Sequence, residues 1–183
     1  MNNLHPYKTV TSKTVYKNPW IRVREDKIIK PDGSEGIYGV IESNDSVMIV
    51  VLNDENEVYL IQAYSYPDQS WNWELPGGGG DGEEAIVASK RELLEETGII
   101  AQSWTLLGKT RVCNGLMTER QSTYLARNLT MTNKKETEAV VGQGKFYTLS
   151  AVSSMIAQAK INDGQSLTGL YLAERLLNRS LTP

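Results

Sequence analysis

Hydrophobic and polar residues alternate through the first part of the chain in the manner of β-strands. Between residues 13 and 29, β-branched and aromatic residues recur at short spacing, and residues 37–42 repeat the pattern after a Pro-Asp-Gly turn. Such alternation predicts strands. Residues 47–52 are continuously apolar, which predicts a strand covered on both faces. After a polar turn at residues 53–56, we expect residues 57–64 to pair back on that strand as a hairpin.

The second half of the chain mixes helical and strand-like patterns. An acidic helix is predicted over residues 83–97, and Gly98 suits a left-handed cap at its end. Ser150 and Ser166 are candidate N-caps for two later helices, the first over residues 151–160. Further strands are predicted at residues 101–112, 122–128, 139–141 and 145–149. This order predicts an α/β fold in which helices pack on a mixed sheet.

Composition narrows the classes of function. The 183 residues carry a formal net charge of −3, so one domain is the default and no nucleic-acid partner is expected. Cys113 is the single cysteine, which excludes an internal disulfide and a cysteine-based zinc site, and the single histidine, His5, disfavours a Ser-His-Asp triad. The start of the chain is polar, and no apolar run reaches the length of a membrane span. We therefore expect a cytoplasmic protein with no membrane partner.

The main chemical signal is a glycine-rich loop, residues 77–82, that runs into the acidic helix. At about 100° per residue, Glu92, Glu95 and Glu96 fall within roughly one third of the helix circumference. Like charges at this spacing repel one another unless a cation joins them, and oxygen ligands without His or Cys suit Mg²⁺ or Mn²⁺. A solvated acidic face is the ordinary alternative for a glutamate cluster alone. The neighbouring glycine loop and the helix caps favour a metal site.

The same stretch resembles the signature box of the Nudix hydrolases, which reads Gly, five residues, Glu, seven residues, Arg-Glu-apolar-x-Glu-Glu-x-Gly-apolar. Every fixed position is filled here, by Gly77, Glu83, Arg91, Glu92, Leu93, Glu95, Glu96, Gly98 and Ile99. The resemblance implies an α/β/α sandwich with a mixed sheet. It also implies that Glu92, Glu95 and Glu96 bind Mg²⁺, or Mn²⁺, and take part in catalysis. Arg91 is then an orienting cation that pairs with Glu83 or a neighbouring acid.

Outside the box, the chain resembles the ADP-ribose pyrophosphatase branch of that family. The resemblance lies in the strand-rich N-terminus, in residues 64–67 and 74–77, and in residues 161–164 before the last helix. It implies a strand extension over residues 1–42, antiparallel and used to build a homodimer. Residues 43–183 are then the hydrolase domain.

Three departures from the pattern leave questions open. The branch usually has Arg where this chain has Ser65, and it often has Pro-Gly where this chain has Asn114-Gly115. Members with Leu-Pro-Gly-Gly usually align the second glycine with the box, and here that glycine is one residue too close to the next box position. The carbonyl that faces the metal therefore belongs either to Gly77 or to Gly78.

The resemblance implies Mg²⁺-dependent hydrolysis of a pyrophosphate bond in a small nucleotide substrate, with ADP-ribose or another nucleotide sugar first. The alternatives are hydrolysis of dinucleoside polyphosphates, GDP-mannose or a damaged nucleotide, and a non-catalytic module that binds a nucleotide metabolite. The candidate substrate-binding residues are Tyr64, Tyr66, Trp73 and Glu119. Because metal occupies the box glutamates, we expect the base that activates water to be a loop carboxylate. We rank Glu138 first and keep Glu136 and Glu119 as alternatives.

Overall fold

A computed structural model describes residues 5–132 and 141–179 of the chain. The described strands are β1 (Lys8–Lys17), β2 (Ile21–Ile29), β3 (Glu35–Ser43), β4 (Ser46–Val51), β5 (Val58–Ser65), β6 (Ser70–Glu74), β7 (Gly77–Gly79), β8 (Ile99–Arg111), β9 (Arg120–Met131) and β10 (Val141–Tyr147). The described helices are α1 (Ala85–Thr97), α2 (Leu149–Ala157) and α3 (Gly164–Arg179). The chain divides into two compact units, residues 1–44 with 111–120 and residues 45–110 with 121–183.

The first unit is an antiparallel sheet with the strand order β1-β2-β3. Every residue of β1 is exposed, whereas Asp26 and Ile28 of β2 are buried. The backbone of Ile41 in β3 forms hydrogen bonds with Leu116 and Thr118, which lie in the segment 111–120 of the same unit. The N-terminal antiparallel extension predicted from the sequence is therefore confirmed.

In the second unit, β4 is an inner strand of a four-stranded sheet with the order β7-β4-β9-β8. It runs parallel to β9 and antiparallel to β7, and residues 47–51 are all buried, which confirms a strand covered on both faces. The predicted hairpin between β4 and β5 is wrong. β5 lies in a separate sheet with the order β10-β5-β6, and an isolated bridge joins Leu52 to Val58. The reason is that β7 and β9 occupy both hydrogen-bonding edges of β4.

Two hydrophobic clusters lie on opposite faces of β4. Its odd-numbered residues pack with Leu93 of α1 in the first cluster. Met48 and Val50 pack with Val152 of α2 and Ala173 of α3 in the second. Helices therefore cover both faces of the strand, as the expected α/β/α arrangement requires.

The predicted helix ends are partly right. α1 begins at Ala85, two residues later than expected, and it ends where predicted because Gly98 adopts a left-handed φ of 70°. The N-cap of α2 is Thr148 rather than Ser150, since the Thr148 hydroxyl accepts a hydrogen bond from the Ala151 N–H at 3.2 Å. The N-cap is the residue with an extended backbone just before the first helical residue. Sequence spacing alone does not identify that residue.

The start of α3 also differs from the prediction. Ser166 is a fully buried residue of the first turn, and the Asp163 carboxylate accepts its backbone N–H at 2.7 Å. The strand predicted at residues 145–149 ends at Tyr147, and Leu149 begins α2. Of the strand predicted at residues 139–141, Val141 begins β10, and the other two residues lie outside the described part of the chain. Within the described part, no helix is both long and apolar enough to cross a membrane.

Candidate active site

The glycine loop is presented at the free edge of its sheet by β7. The carbonyl of Pro76 accepts a hydrogen bond from the Ile49 N–H of β4 at 2.8 Å, and the Gly80 N–H donates to the carbonyl of Asp45, just before β4, at 2.8 Å. Successive strand residues direct their backbone groups to opposite edges. Gly77 and Gly79 therefore direct theirs away from β4.

Both outward-facing glycines contact α1. The Gly77 N–H donates to Glu96 Oε2 at 2.9 Å, and the Gly79 carbonyl accepts from Arg91 Nη2 at 2.9 Å. Between them, Gly78 lies so close to Glu92 that an added Cβ would come within 2.6 Å of its carboxyl carbon. Since the N–H and C=O of a strand residue point to one edge, the Gly77 carbonyl is on the same side as Glu96. The Gly78 carbonyl faces β4.

Arg91 is the centre of the charged network on this face of α1. Its Nη1 donates to Glu92 Oε1 at 2.9 Å and to Glu95 Oε2 at 3.0 Å. Its Nε donates to Glu83 Oε2 at 3.0 Å, and its Nη2 lies 3.4 Å from Asp81 Oδ2. One guanidinium, whose planar fork suits several carboxylates at once, therefore bridges acids from both the loop and the helix and offsets part of their charge.

The network is partly shielded from water. Glu96 is 8% exposed, and the side chains of Glu92 and Glu95 are 12% and 28% exposed. Partial burial works against the charge of Arg91, but its hydrogen bonds to Glu83 and Glu92 outweigh this and raise the pKa of the guanidinium. Arg91 therefore stays charged at neutral pH.

The donor chemistry of this face fits a hard divalent cation. It offers carboxylate oxygens and a backbone carbonyl, which are the ligands that Mg²⁺ and Mn²⁺ prefer. Among the described residues, no three acidic, histidine or cysteine side chains converge closely enough to hold an ion by themselves. Glu92 and Glu95 are instead joined by the Arg91 guanidinium.

The predicted aromatic residues lie in different environments. Tyr64 stacks at a tilt on Trp71, with the ring centroids 5.5 Å apart, whereas Tyr66 is 83% exposed in the turn after β5. Trp73 is half-buried and packs edge-on against Tyr147 at 5.1 Å. Tyr66 is thus accessible, Tyr64 is half-buried, and Trp73 packs against the second hydrophobic cluster.

Of the three predicted loop acids, the structure describes Glu119. Glu119 belongs to the segment 111–120 of the first unit, where its backbone carbonyl accepts from the Val112 N–H at 3.4 Å. Glu136 and Glu138 lie outside the described residues.

Sequence reasoning missed two contributors to the site. Asp81 supplies a further acid to Arg91 from a residue with a φ of 46°, and the Asp-Gly pair at residues 81–82 was the available signal for such a turn. The sequence predicts Ser166 as a helix cap, but its hydroxyl accepts a hydrogen bond from the Leu75 N–H at 3.0 Å, just before the glycine loop. A contact spanning 91 positions leaves no signal in local spacing.

Two family models match this chain. Residues 42–167 match the NUDIX domain, and residues 7–41 match the nucleoside diphosphate sugar hydrolase N-terminal domain. The chain therefore belongs to the Nudix family. It is a Nudix pyrophosphohydrolase. Such an enzyme hydrolyses compounds in which a nucleoside diphosphate is linked to another group.

Two curated relatives match this chain over most of their own length. An ADP-ribose pyrophosphatase of Mycobacterium tuberculosis is 26% identical over 171 residues, covering 91% of this chain and 82% of the relative. A methanol dehydrogenase activator of Bacillus methanolicus is 24% identical, covering 98% of this chain and 100% of the relative. Among solved structures, an ADP compounds hydrolase superposes with a TM-score of 0.86 over 98% of both chains at 20% identity, which shows the shared fold.

Proposed function

We propose that this enzyme hydrolyses ADP-ribose to AMP and ribose 5-phosphate. The observation that carries the proposal is the direct contact of the β7 glycines with Glu92 and Glu96, which builds the Nudix box into one surface. Relatives in Mycobacterium tuberculosis and Bacillus subtilis are both ADP-ribose pyrophosphatases. The matched N-terminal model, described for nucleoside diphosphate sugar hydrolases, supports the same substrate class.

We propose that Glu92, Glu95, Glu96 and the Gly77 carbonyl hold Mg²⁺, with Mn²⁺ as a substitute. When bound, the metal would neutralise the pyrophosphate and lower the pKa of a coordinated water. The chain prepares the ligands for this role, since Gly77 fixes Glu96 and Arg91 fixes Glu92 and Glu95. Gly77 is favoured over Gly78 because its carbonyl lies on the glutamate side of β7.

We also propose residues for the substrate contacts and for the base. Exposed Tyr66 and half-buried Tyr64 suit stacking on a nucleotide base, Trp73 suits a supporting role, and Glu119 is a further candidate substrate contact. For the base we propose Glu138, the loop acid that the sequence ranks first. Glu138→Gln should lower kcat more than it raises KM and should leave metal affinity intact. A neutral Glu138→Gln beside a crippled Glu136→Gln or Glu119→Gln would move the role to that residue, and three neutral variants would point to Glu95.

We also propose a homodimer built through residues 1–42. Exposed apolar side chains favour a protein partner, among them Trp20 at 76% and Ile37 at 68% exposure. Light scattering at micromolar concentration should give a dimer, and Ile37→Lys should shift it towards monomer. Val87→Lys, on an exposed apolar residue of the other unit, is the matched control and should stay dimeric. A monomeric wild-type chain would contradict the proposal.

A cytoplasmic location stays a prediction.

The substrate is tested by a panel assayed with Mg²⁺. ADP-ribose, GDP-mannose, a dinucleoside polyphosphate and an oxidised nucleoside triphosphate are compared, with products separated by chromatography. We expect ADP-ribose to give the highest kcat/KM and to yield AMP. A higher kcat/KM for another member would reassign the substrate. Tight binding of a nucleotide with no turnover would favour the regulatory alternative.

A further inference from the structure

The backbone between β6 and β7 leaves one sheet before it joins the other. β6 pairs with β5, whereas β7 pairs with β4, so Leu75 lies between two ladders. Its N–H is buried, and a buried N–H without a partner is strongly unfavourable. The partner is the Ser166 hydroxyl of α3, at 3.0 Å.

Ser166 is itself fixed on the other side. It is 0% exposed, and its own N–H donates to the Asp163 carboxylate at 2.7 Å. One turn further along α3, Gly169 lies so close to Leu75 that an added Cβ would come within 2.8 Å of its Cδ1. Two residues before Leu75, the Trp73 N–H donates to the Lys160 carbonyl at 3.1 Å. The loop before α3 and the first turns of α3 therefore hold the backbone between β6 and β7 at several points.

The held residues lead directly into the site. Pro76 follows Leu75 and binds Ile49 through its carbonyl, and Gly77 then donates to Glu96. A change in the position of Leu75 would be passed on within two residues to the Gly77 carbonyl and to the orientation of Glu96.

We propose that Ser166 is a positioning residue for the metal site, acting through the Leu75 N–H to place Gly77 against Glu96. This inference rests on the proposed metal site. It assigns to α3, which contributes none of the proposed metal ligands, an influence on metal affinity through the backbone of residues 75–77.

The test measures Mn²⁺ binding to the full chain without substrate, by electron paramagnetic resonance of the free ion. Ser166→Ala removes the acceptor while keeping the helix. We expect the dissociation constant for Mn²⁺ to rise about tenfold, in the range seen when groups supporting metal ligands are removed. In assays, kcat at low Mg²⁺ should fall similarly and recover at high Mg²⁺, while KM for the nucleotide changes less than about twofold.

Two control variants separate positioning from general weakening. Thr168→Ala removes another α3 hydroxyl, one that donates to the Gly164 carbonyl, and should leave Mn²⁺ binding unchanged. Val152→Ala weakens the same hydrophobic cluster but keeps the hydrogen bond from the Leu75 N–H to the Ser166 hydroxyl. If Val152→Ala loosened Mn²⁺ as much as Ser166→Ala at an equal loss of thermal stability, the inference would be overturned.

Glu96→Gln tests the proposed metal site separately from the proposed role of Ser166. If Glu96→Gln weakens Mn²⁺ binding and Ser166→Ala does not, the metal site stands and the role of Ser166 is wrong. If Glu96→Gln binds Mn²⁺ as tightly as the wild type, the proposed metal site is wrong and the inference falls with it.

Discussion

α1 and α3 contact the same short stretch, residues 75–79, but with different chemistry. α1 meets it through charged groups, with Glu96 on Gly77 and Arg91 on Gly79. α3 meets it through the neutral hydroxyl of Ser166 and through close packing at Gly169.

The difference separates function from placement. Partly buried carboxylates crowded on one helix face weaken the fold, and the single positive charge of Arg91 offsets only part of theirs, so their presence points to a chemical use. A buried hydroxyl that satisfies one N–H adds little charge and mainly fixes a position. Variants on the α1 side should therefore change activity more than stability, and variants on the α3 side should do the reverse, apart from the metal affinity assigned to Ser166.

The largest effect is expected from Glu96→Gln. Glutamine keeps the shape and an oxygen that accepts the Gly77 N–H, but it removes the charge that would bind the metal. We expect kcat to fall at least about 100-fold while the melting temperature changes little, because charge stabilisation by a metal is worth several kcal/mol. Steady-state assays and calorimetry provide the two measurements.

The charge-matched control is Glu84→Gln. Glu84 precedes α1, is exposed and makes no side-chain cap hydrogen bond, so this variant should keep nearly full activity. Near-normal turnover of Glu96→Gln would remove the distinction between the two helices.

The box is where sequence carried most information. Fixed spacing on one helix decides which side chains share a face, so the placement of Glu92, Glu95 and Arg91 together, and the end of α1 at Gly98, follow from helix geometry. The burial of β4 on both faces likewise follows from its unbroken apolar run.

Strand pairing and contacts between segments that are distant in sequence could not be predicted in this way. Whether β4 pairs with β5 or with β9 depends on which strands reach its edges, and local pattern is the same in both cases. The contacts of Ser166 with Leu75 and of Trp73 with Tyr147 are also made between distant segments. For a serine near a helix start, capping is the commoner role, and burial decided otherwise here.

A middle-sized effect on stability is expected at Glu74, the titratable group beside the α3 start. Burial raises the pKa of Glu74 to about 7, and the negative charge of Asp163 adds to the shift. The folded state thus holds a proton that the unfolded chain releases near its ordinary pKa. The free energy of unfolding should therefore fall as pH rises from about 4.5 through about 7.

Glu74→Gln should abolish that dependence. Because solvent screens a half-buried carboxylate, we expect a gain of about 1–2 kcal/mol at pH 8 and little change at pH 4.5. Urea unfolding at the two pH values measures both, with Glu55→Gln, at an exposed acid in the turn before β5, as the control. Equal stability of wild type and Glu74→Gln at pH 8 would contradict the placement of this charge.

The smallest effect is expected at the start of α2, whose residues lie on the α3 side of β4 and away from the acids. Thr148 accepts the Ala151 N–H, so Thr148→Ala leaves a helix donor to water and should cost about 1 kcal/mol. Ser150→Ala is the matched control, because the Ser150 hydroxyl contacts Thr148 on the surface and caps no N–H; it should cost a few tenths of a kcal/mol at most. Both variants should keep wild-type kcat, as expected on the side that provides placement. Chemical unfolding and steady-state assays give the values, and a larger loss for Ser150→Ala would return the cap to the residue favoured by sequence.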